Sequence, residues 1–323
     1  MNVLFIGKFP PIQGGTATAA FWRVQDLKKQ GINFEVVTAI LDSSEYLIRS
    51  PSTPDNVHII TESLPWHIPY SQLYSERLIA KAVEIAKNKH FDLIEGCYLF
   101  PYGFAAFIVS QILNKPLLLR HAGSDLYRIS KDNNICSLLS MMLNKATTVT
   151  NAQSYSTLKS ICPNAKIVIT ERYMPNPNVF RYTDSVKNKV SFFGKVTEKW
   201  DRKQLDFFYK ELKTRNYKGD INIYSNEYTI KVFEDFFRNT EYKINHYNFV
   251  MPDCVPLILS NTKYLLVSKI PSGIPEESNI YIEGISSGCT PICQTIQTIN
   301  DSLKNNYSSY LEEQINLYNG ITD

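Results

Sequence analysis

The first segment that could do chemistry is a proline- and glycine-rich stretch, FPPIQGGTA at residues 9–17, directly after an apolar run. Gly14 and Gly15 would let backbone N–H groups approach an anion closely, and a helix beginning behind them would add about half a positive charge. The segment therefore favours a phosphate ligand, with a plain tight turn and helix cap as the alternative. It matches neither the dinucleotide fingerprint GxGxxG nor the Walker motif GxxxxGK[ST], so nicotinamide and P-loop sites lose support.

A polar cluster, HAGSD at residues 121–125, follows an apolar run at residues 117–120. Polar side chains at the end of a buried strand contact ligands in doubly wound proteins, and the neutral ring of His121 could donate to a sugar hydroxyl. Ser124 and Asp125 equally suit the cap of a helix. His121 taken alone is as compatible with a structural role as with a site.

The second half carries a basic segment and a carboxylate that could share one ligand. Lys195, Lys199 and Lys203 lie where a strand would end and a helix would begin, and cations there suit a diphosphate. A solvated charged loop is the alternative. Glu283 is followed by small residues and Gly-Cys-Thr-Pro, so its helix can pack tightly while its carboxylate reaches a ribose diol.

Alternating strands and helices must position these residues. Short apolar runs predict buried parallel strands, and the segments between many of them have helical spacing. The pattern breaks at Pro-Asn-Pro-Asn, residues 175–178, and then resumes. We predict an α/β protein of two doubly wound Rossmann-like domains, residues 1–175 and 176–323, facing across a cleft that holds the site. The predicted strands are residues 3–6, 34–38, 57–60, 92–95, 117–120, 147–149, 167–169, 190–193, 221–224, 264–268 and 290–293; the predicted helices are residues 16–30, 76–87, 102–113, 203–213, 229–237, 255–260 and 280–286.

Composition excludes several classes of protein. The chain has 323 residues with 34 Lys and Arg against 31 Asp and Glu, a net charge of +3, and 44% hydrophobic residues. These values argue against a disordered chain and against a protein built to neutralise many DNA phosphates. The N-terminal apolar run is short and lacks a basic region before it, and no run of about 18 apolar residues occurs. We therefore expect a cytoplasmic protein.

The order of these motifs is similar to that in the family-four retaining glycosyltransferases of the GT-B fold. The resemblance covers roughly residues 1–293 and implies transfer of a sugar from a nucleotide diphosphate without a bound metal or other cofactor. No Asp-x-Asp occurs in the chain, which removes the usual metal motif of the other major glycosyltransferase fold. The motifs that carry the resemblance are the glycine-rich first loop, LFPYG at 99–103, the cluster at 121–125, Asn-Pro at 176–177, Gly-Lys-Val at 194–196 and the segment 283–291.

The resemblance also implies roles for individual residues. Gly14 and Gly15 resemble the diphosphate loop, and His121 resembles a histidine beside the transferred sugar. Lys195 stands where the family has arginine, Lys199 or Lys203 resembles its lysine, and Glu283 resembles the ribose ligand that ends the family's E-x7-E element. The first glutamate of that element would fall on Pro275, so Glu276, one residue out of register, is its candidate equivalent. The thirty residues after Cys293 form a short tail where the family continues to a helix that crosses back to the first domain.

These features predict a sugar transferase acting in glycan or glycoconjugate assembly. The expected partners are a nucleotide sugar and a glycan, lipid-linked or peptide acceptor, not a nucleic acid. The aromatic segment 64–70 and the helix after it could contact an acceptor or the inner face of a membrane, with a buried aromatic cluster as the alternative. Two other functions stay open. The first is a catalytically silent subunit that stabilises an active partner, which the displaced glutamate and the short tail favour. The second is a sugar-nucleotide epimerase, for which the sequence offers no convincing acid and base pair.

Overall fold

The computed structural model describes residues 1–39, 54–60, 73–170, 173–183, 186–196, 202–268, 278–294 and 306–322. In these ranges every strand pairing is parallel, and the strands form two separate sheets. This confirms the predicted α/β class with two doubly wound halves.

The first sheet has seven strands; the five inner strands are largely buried on both faces, as the apolar runs predict, whereas the two edge strands, Val57–Ile60 and Lys166–Ile169, are partly exposed. Its strands are β1 (Asn2–Gly7), β2 (Asn33–Ala39), β3 (Val57–Ile60), β4 (Leu93–Cys97), β5 (Leu117–Arg120), β6 (Thr147–Thr150) and β7 (Lys166–Ile169), and its helices are α1 (Gly15–Lys29), α2 (Leu73–Ala86), α3 (Phe104–Leu113), α4 (Ser124–Ile129), α5 (Asn133–Asn144) and α6 (Ala152–Ile161). The strand order is β3-β2-β1-β4-β5-β6-β7, so the chain reverses direction across the sheet between β1 and β4. That switch point is where doubly wound sheets bind ligands.

The second sheet has five strands and the same switch in order, β10-β9-β8-β11-β12. Its elements are β8 (Lys189–Phe193), α7 (Arg202–Thr214), β9 (Ile221–Tyr224), α8 (Glu227–Phe237), β10 (Ile244–Tyr247), α9 (Val255–Ser260), β11 (Thr262–Leu266), α10 (Asn279–Ser286) and β12 (Thr290–Ile292). The sequence pattern does not indicate β10. It is an edge strand whose polar His246 and half-exposed Tyr247 break the apolar run that marks the other strands. β11 also begins and ends two residues before the prediction of 264–268.

The last helix, α11 (Tyr307–Thr322), packs on the first sheet although it follows the second one in sequence. The ring of Phe34 meets that of Tyr318 edge to face, with centroids 5.9 Å apart. The Tyr318 hydroxyl donates to the carboxylate of Glu95, and Arg120 Nη2 donates to Gln314 Oε1 at 2.8 Å. The short tail therefore supplies a helix that returns to the first half, which its length alone does not predict.

The segment that joins the two halves is held against α1. Asn176 Nδ2 lies 2.9 Å from Asp26 Oδ1 and 2.8 Å from the Tyr307 hydroxyl, so one buried amide connects the linker to both α1 and α11. Phe180 packs edge to face on Trp22, with centroids 5.3 Å apart. These contacts place α1, the helix behind the glycine-rich loop, at the junction of the two halves.

Candidate functional site

Two adjoining cavities lie at the carboxyl ends of the strands. The first, here called the cleft cavity, has a volume of about 200 Å³ and is lined by both halves. The second, the polar cavity, has a volume of about 360 Å³ and lies mainly over the first sheet. Gly15, Ser278 and Asn279 line both cavities, so a ligand could extend from one into the other. This is the cleft position that the alternating pattern predicts.

Two glycine turns, one from each half, line the cleft cavity. Gly14 precedes α1 with φ +142°, and Gly194 follows β8 with φ +128°. Both values lie in the region where a side chain causes strain, so glycine is required for these backbone shapes. Across the cavity mouth, Asn279 Nδ2 donates to the carbonyl of Gly15 at 2.8 Å. The two halves are thereby joined at the glycine-rich loop.

Two helix starts face the cleft cavity, α1 from the first half and α10 from the second. Neither Gly14 nor Ser278, the residues that precede these helices, provides a side-chain cap, and neither first turn contains an acidic residue. Backbone N–H groups at both starts can therefore donate to an anion, and both helix dipoles favour negative charge there. Two helix starts at one cavity suit a diphosphate better than a single phosphate.

Glu283, in the body of α10, is almost completely buried and lines the cleft cavity. The hydroxyl of Tyr173 donates to its Oε1 at 3.2 Å. Burial raises the pKa of this carboxyl to about 7, and the hydrogen bond from Tyr173 offsets only part of that rise. Glu283 thus titrates near neutrality and keeps lone pairs for hydroxyl groups of a ligand.

Aromatic rings stack at the carboxyl ends of three neighbouring strands. Phe193 and Tyr224 are 4.7 Å apart at 11°, and Tyr224 and Tyr247 are 4.9 Å apart at 14°. The first two rings line the cleft cavity together with Phe249 and Val250. This apolar end of the cavity can accept a planar ring, while the glycine turns and helix starts can accept phosphates.

His121 lies on the wall of the polar cavity. The backbone N–H of Gly123 donates to its Nδ1 at 3.0 Å, and its Nε2 lies 2.7 Å from the Thr150 hydroxyl. Since Nδ1 accepts a hydrogen bond, these contacts fit a neutral ring that carries its hydrogen on Nε2. To donate to a sugar, His121 would have to exchange its contact with Thr150 for the sugar hydroxyl.

Behind the same cavity lies a buried charge network. Arg23 Nη2 and Arg120 Nε donate to Glu95 Oε1 at 2.5 Å and 2.9 Å. Both guanidinium groups are at least nine-tenths buried and both line the polar cavity, whereas Glu95 is fully buried and does not. Among the described residues that line this cavity, none is acidic.

Some of the other residues predicted for the site line a cavity, and some do not. Gly14 and Gly15 line the cleft cavity, as does Glu283. Lys195 follows the glycine turn and Lys203 is exposed in the first turn of α7; neither is among the described residues lining the two cavities. The helix start of the second half that lines the cleft cavity is that of α10. Lys199, Glu276 and the segment 64–70 lie outside the described residues.

Several residues of the site are not indicated by their local sequence. Asn279 and Ser278 precede an ordinary helical pattern, and Tyr173 stands in the linker. A signal does exist for the arginine network: Glu95 interrupts an otherwise apolar strand, and a carboxylate in such a strand needs a buried cation. The identity of that cation is not local, because Arg23 is 72 residues away in sequence.

No helix in the described part of the chain is long and apolar enough to cross a membrane. Within the same residues, no group of three or more His, Cys, Asp or Glu side chains is arranged to hold a metal ion.

Comparisons with known proteins agree with this architecture. A family model described as "Glycosyl transferase 4-like" matches residues 15–154. No curated protein sequence matches the chain. Among solved structures, an alpha-glucosyltransferase in complex with UDP-glucose and DNA is similar with a TM-score of 0.60 at 12% identity, over 98% of this chain and 90% of that one.

Two further solved structures have the same fold. Anabaena HepE, in complex with UDP-glucose, aligns with a TM-score of 0.58 at 11% identity over 100% of this chain and 92% of its own. A sucrose-phosphate synthase from Thermosynechococcus elongatus aligns with a TM-score of 0.58 at 12% identity over 90% of this chain and 80% of its own. The GT-B fold is thus confirmed, and the resemblance to glycosyltransferases of the family-four-like kind is confirmed over residues 15–154.

Proposed function

We propose that this protein is a retaining glycosyltransferase that moves a sugar from a nucleotide diphosphate to a glycan, glycolipid or other glycoconjugate. The observation that carries the proposal is the convergence of two uncapped helix starts, α1 and α10, on one cavity between the halves, beside the buried carboxylate of Glu283. The similar solved structures of an alpha-glucosyltransferase and HepE contain UDP-glucose, which supports a nucleotide sugar as the donor here.

In this proposal, each part of the donor is assigned to one part of the two cavities. The nucleobase would lie against the aromatic end of the cleft cavity, and Glu283 would accept from the ribose hydroxyls. The diphosphate would lie between the two helix starts, whose N–H groups would stabilise it as it leaves. The transferred sugar would then project past Asn279 into the polar cavity, towards His121.

The reaction places modest demands on side chains. The bond between the sugar C1 and the phosphate oxygen breaks, an acceptor oxygen bonds to C1 on the same face, and the acceptor's proton leaves with the diphosphate. Charge stabilisation and alignment of the two reactants supply the catalysis, so neither a nucleophilic side chain nor a bound cofactor is part of the proposal. The predicted roles of Lys195, Lys199, Lys203 and Glu276 remain predictions within this scheme.

Incubation with a panel of UDP, GDP, ADP and dTDP sugars tests the proposal, with release of the nucleoside diphosphate as the readout. We expect turnover of at least one donor, retention of the anomeric configuration by NMR, and activity that persists in EDTA. Activity lost in EDTA and restored by manganese would contradict metal independence. Donor binding without turnover on any acceptor would favour the silent-subunit function, and an epimerised nucleotide sugar as the product would favour the epimerase.

A further inference from the structure

The polar cavity is lined by two arginine side chains, Arg23 and Arg120, whereas binding of a neutral sugar does not require a positive charge. Arg23 and Arg120 share one carboxylate, that of Glu95, so the three side chains together have a charge of +1. Asp125, the other carboxylate close to Cys97, accepts hydrogen bonds from three backbone N–H groups and does not line the cavity. Among the described residues that line the cavity, no acidic side chain offsets this charge.

Arg23 also holds a donor with no partner. Its Nε is buried and makes no hydrogen bond to the described residues. The arginine side chain as a whole is only 8% exposed, and it lines the cavity. This Nε has almost no accessible surface, so the part of Arg23 that a ligand in the cavity can contact is the rest of its guanidinium. Burial opposes the charge on Arg23, but the adjacent Glu95 carboxylate holds its pKa well above the ordinary value, so the guanidinium stays charged.

The start of α1 borders the same space. Thr16, in the first turn of α1, lines the polar cavity but not the cleft cavity. Arginine recognises phosphate and carboxylate groups with paired, charge-assisted hydrogen bonds. A cavity with two arginines, a helix start and no acidic group among its described lining residues matches an anion rather than a neutral hydroxyl group.

On this basis, and resting on the proposed function, we propose that the polar cavity binds a phosphate or carboxylate group carried by one of the two reactants on the sugar side of the donor diphosphate. This transferase would then act on an acidic substrate. The group is distinct from the diphosphate itself, which the two helix starts of the cleft cavity accommodate. It is carried either by the acceptor, as in a phosphorylated sugar, or by the transferred sugar, as in a uronic acid.

Isothermal titration of the protein saturated with UDP tests the proposal, because UDP occupies the diphosphate position. Glucose 6-phosphate and glucuronate are compared with glucose. We expect at least one acidic sugar to bind about tenfold more tightly than glucose or better, the range for a charge-assisted hydrogen bond. Equal affinities for acidic and neutral sugars would overturn the proposal. In a second arm, tighter binding of UDP-glucuronate than of UDP-glucose would assign the anion to the donor, and equal binding of the two would assign it to the acceptor.

Variants locate the discrimination at Arg23. Arg23→Gln should abolish the preference for the acidic sugar, whereas Lys28→Gln, which removes the same charge from an exposed position on α1, should preserve it. Preference retained in a folded Arg23→Gln protein would overturn the proposal. If that variant does not fold, Arg23→Lys, which keeps the charge but loses the planar guanidinium, should weaken the preference for the acidic sugar, and an unchanged preference would overturn the proposal. Failure of UDP to bind would count against the donor site, whereas UDP binding without discrimination would count against the anion site alone.

Discussion

At the scale of single residues, Glu283 gives the most specific prediction because its pKa lies near neutrality. The carboxyl has a pKa of about 7 in the folded protein, against about 4.3 in an unfolded chain. A nucleoside, which has no phosphate to titrate, should therefore bind more tightly as the pH rises from 6 to 8 and the carboxylate forms. Uridine titrations should show this rise for the unaltered protein and a flat profile for Glu283→Gln.

The same residue predicts a change in stability with pH. The folded protein binds the Glu283 proton more tightly than the unfolded chain, so its stabilising contribution is complete below about pH 4.3 and is lost as the pH rises through 7. A shift of this size corresponds to on the order of 3 kcal/mol. Urea denaturation should find Glu283→Gln stabilised relative to the unaltered protein at pH 8 but not at pH 4.5. A parallel dependence in both proteins would contradict the assignment.

The paired glycines of the first loop should respond differently to alanine. Gly14 has φ +142° and needs the freedom of glycine, whereas Gly15 has an ordinary backbone and room for a methyl group, whose nearest neighbour would be Asn279 at 3.6 Å. Gly14→Ala should cost about 1 kcal/mol or more in unfolding free energy, and Gly15→Ala should not. Thermal denaturation of the two variants tests this, and equal losses would show that the loop shape does not depend on Gly14.

At the scale of elements, we expect the contacts of α11 with the first half to stabilise the folded protein. Its Tyr318 hydroxyl donates to the buried carboxylate of Glu95, and removing that donor leaves one oxygen of Glu95 unsatisfied. Tyr318→Phe should lower the unfolding free energy by about 1–3 kcal/mol. Tyr127→Phe is the matched control, since Tyr127 is 60% exposed. Equal stability of the two variants in urea would contradict the anchoring role of the hydroxyl.

How far these elements could be predicted depended on how local their signal is. β1 and β5 are continuous apolar runs, so they are predictable to within a residue or so. β10 is half polar because it forms an edge, and α11 presents Gln314 and Tyr318 to buried polar partners in place of a plain apolar stripe. Such elements are defined by what they pack against, which a single sequence does not display.

The residues of the candidate site also differ in whether their local sequence predicts them. The positions of the glycine loop and of His121 at the cavities could be predicted because each follows a strand, and that of Glu283 because small residues and Gly-Cys-Thr-Pro follow it. Arg23 and Arg120 could not, because their role depends on Glu95, which meets them only after the sheet has formed. Pairing across long sequence separations thus decides the buried charge of the site.

At the scale of the whole molecule, the central claim is that a nucleotide diphosphate binds between the two halves. The linker, α11 and the contact from Asn279 to Gly15 hold the halves together, and the helix starts of α1 and α10 contribute to one cavity although they lie more than 260 residues apart in sequence. A ligand at that position should therefore contact both halves simultaneously and slow hydrogen exchange in each of them.

Hydrogen–deuterium exchange with and without UDP tests this claim most directly. Binding should slow exchange of backbone N–H groups at the start of α1, residues 14–18, and at the start of α10, residues 279–283, because the diphosphate accepts from both. Uridine, which lacks the phosphates, should protect neither helix start to the same extent. Protection of both segments by UDP is the result we predict; UDP binding that protects only one half, or neither segment, would contradict a diphosphate site between the two halves.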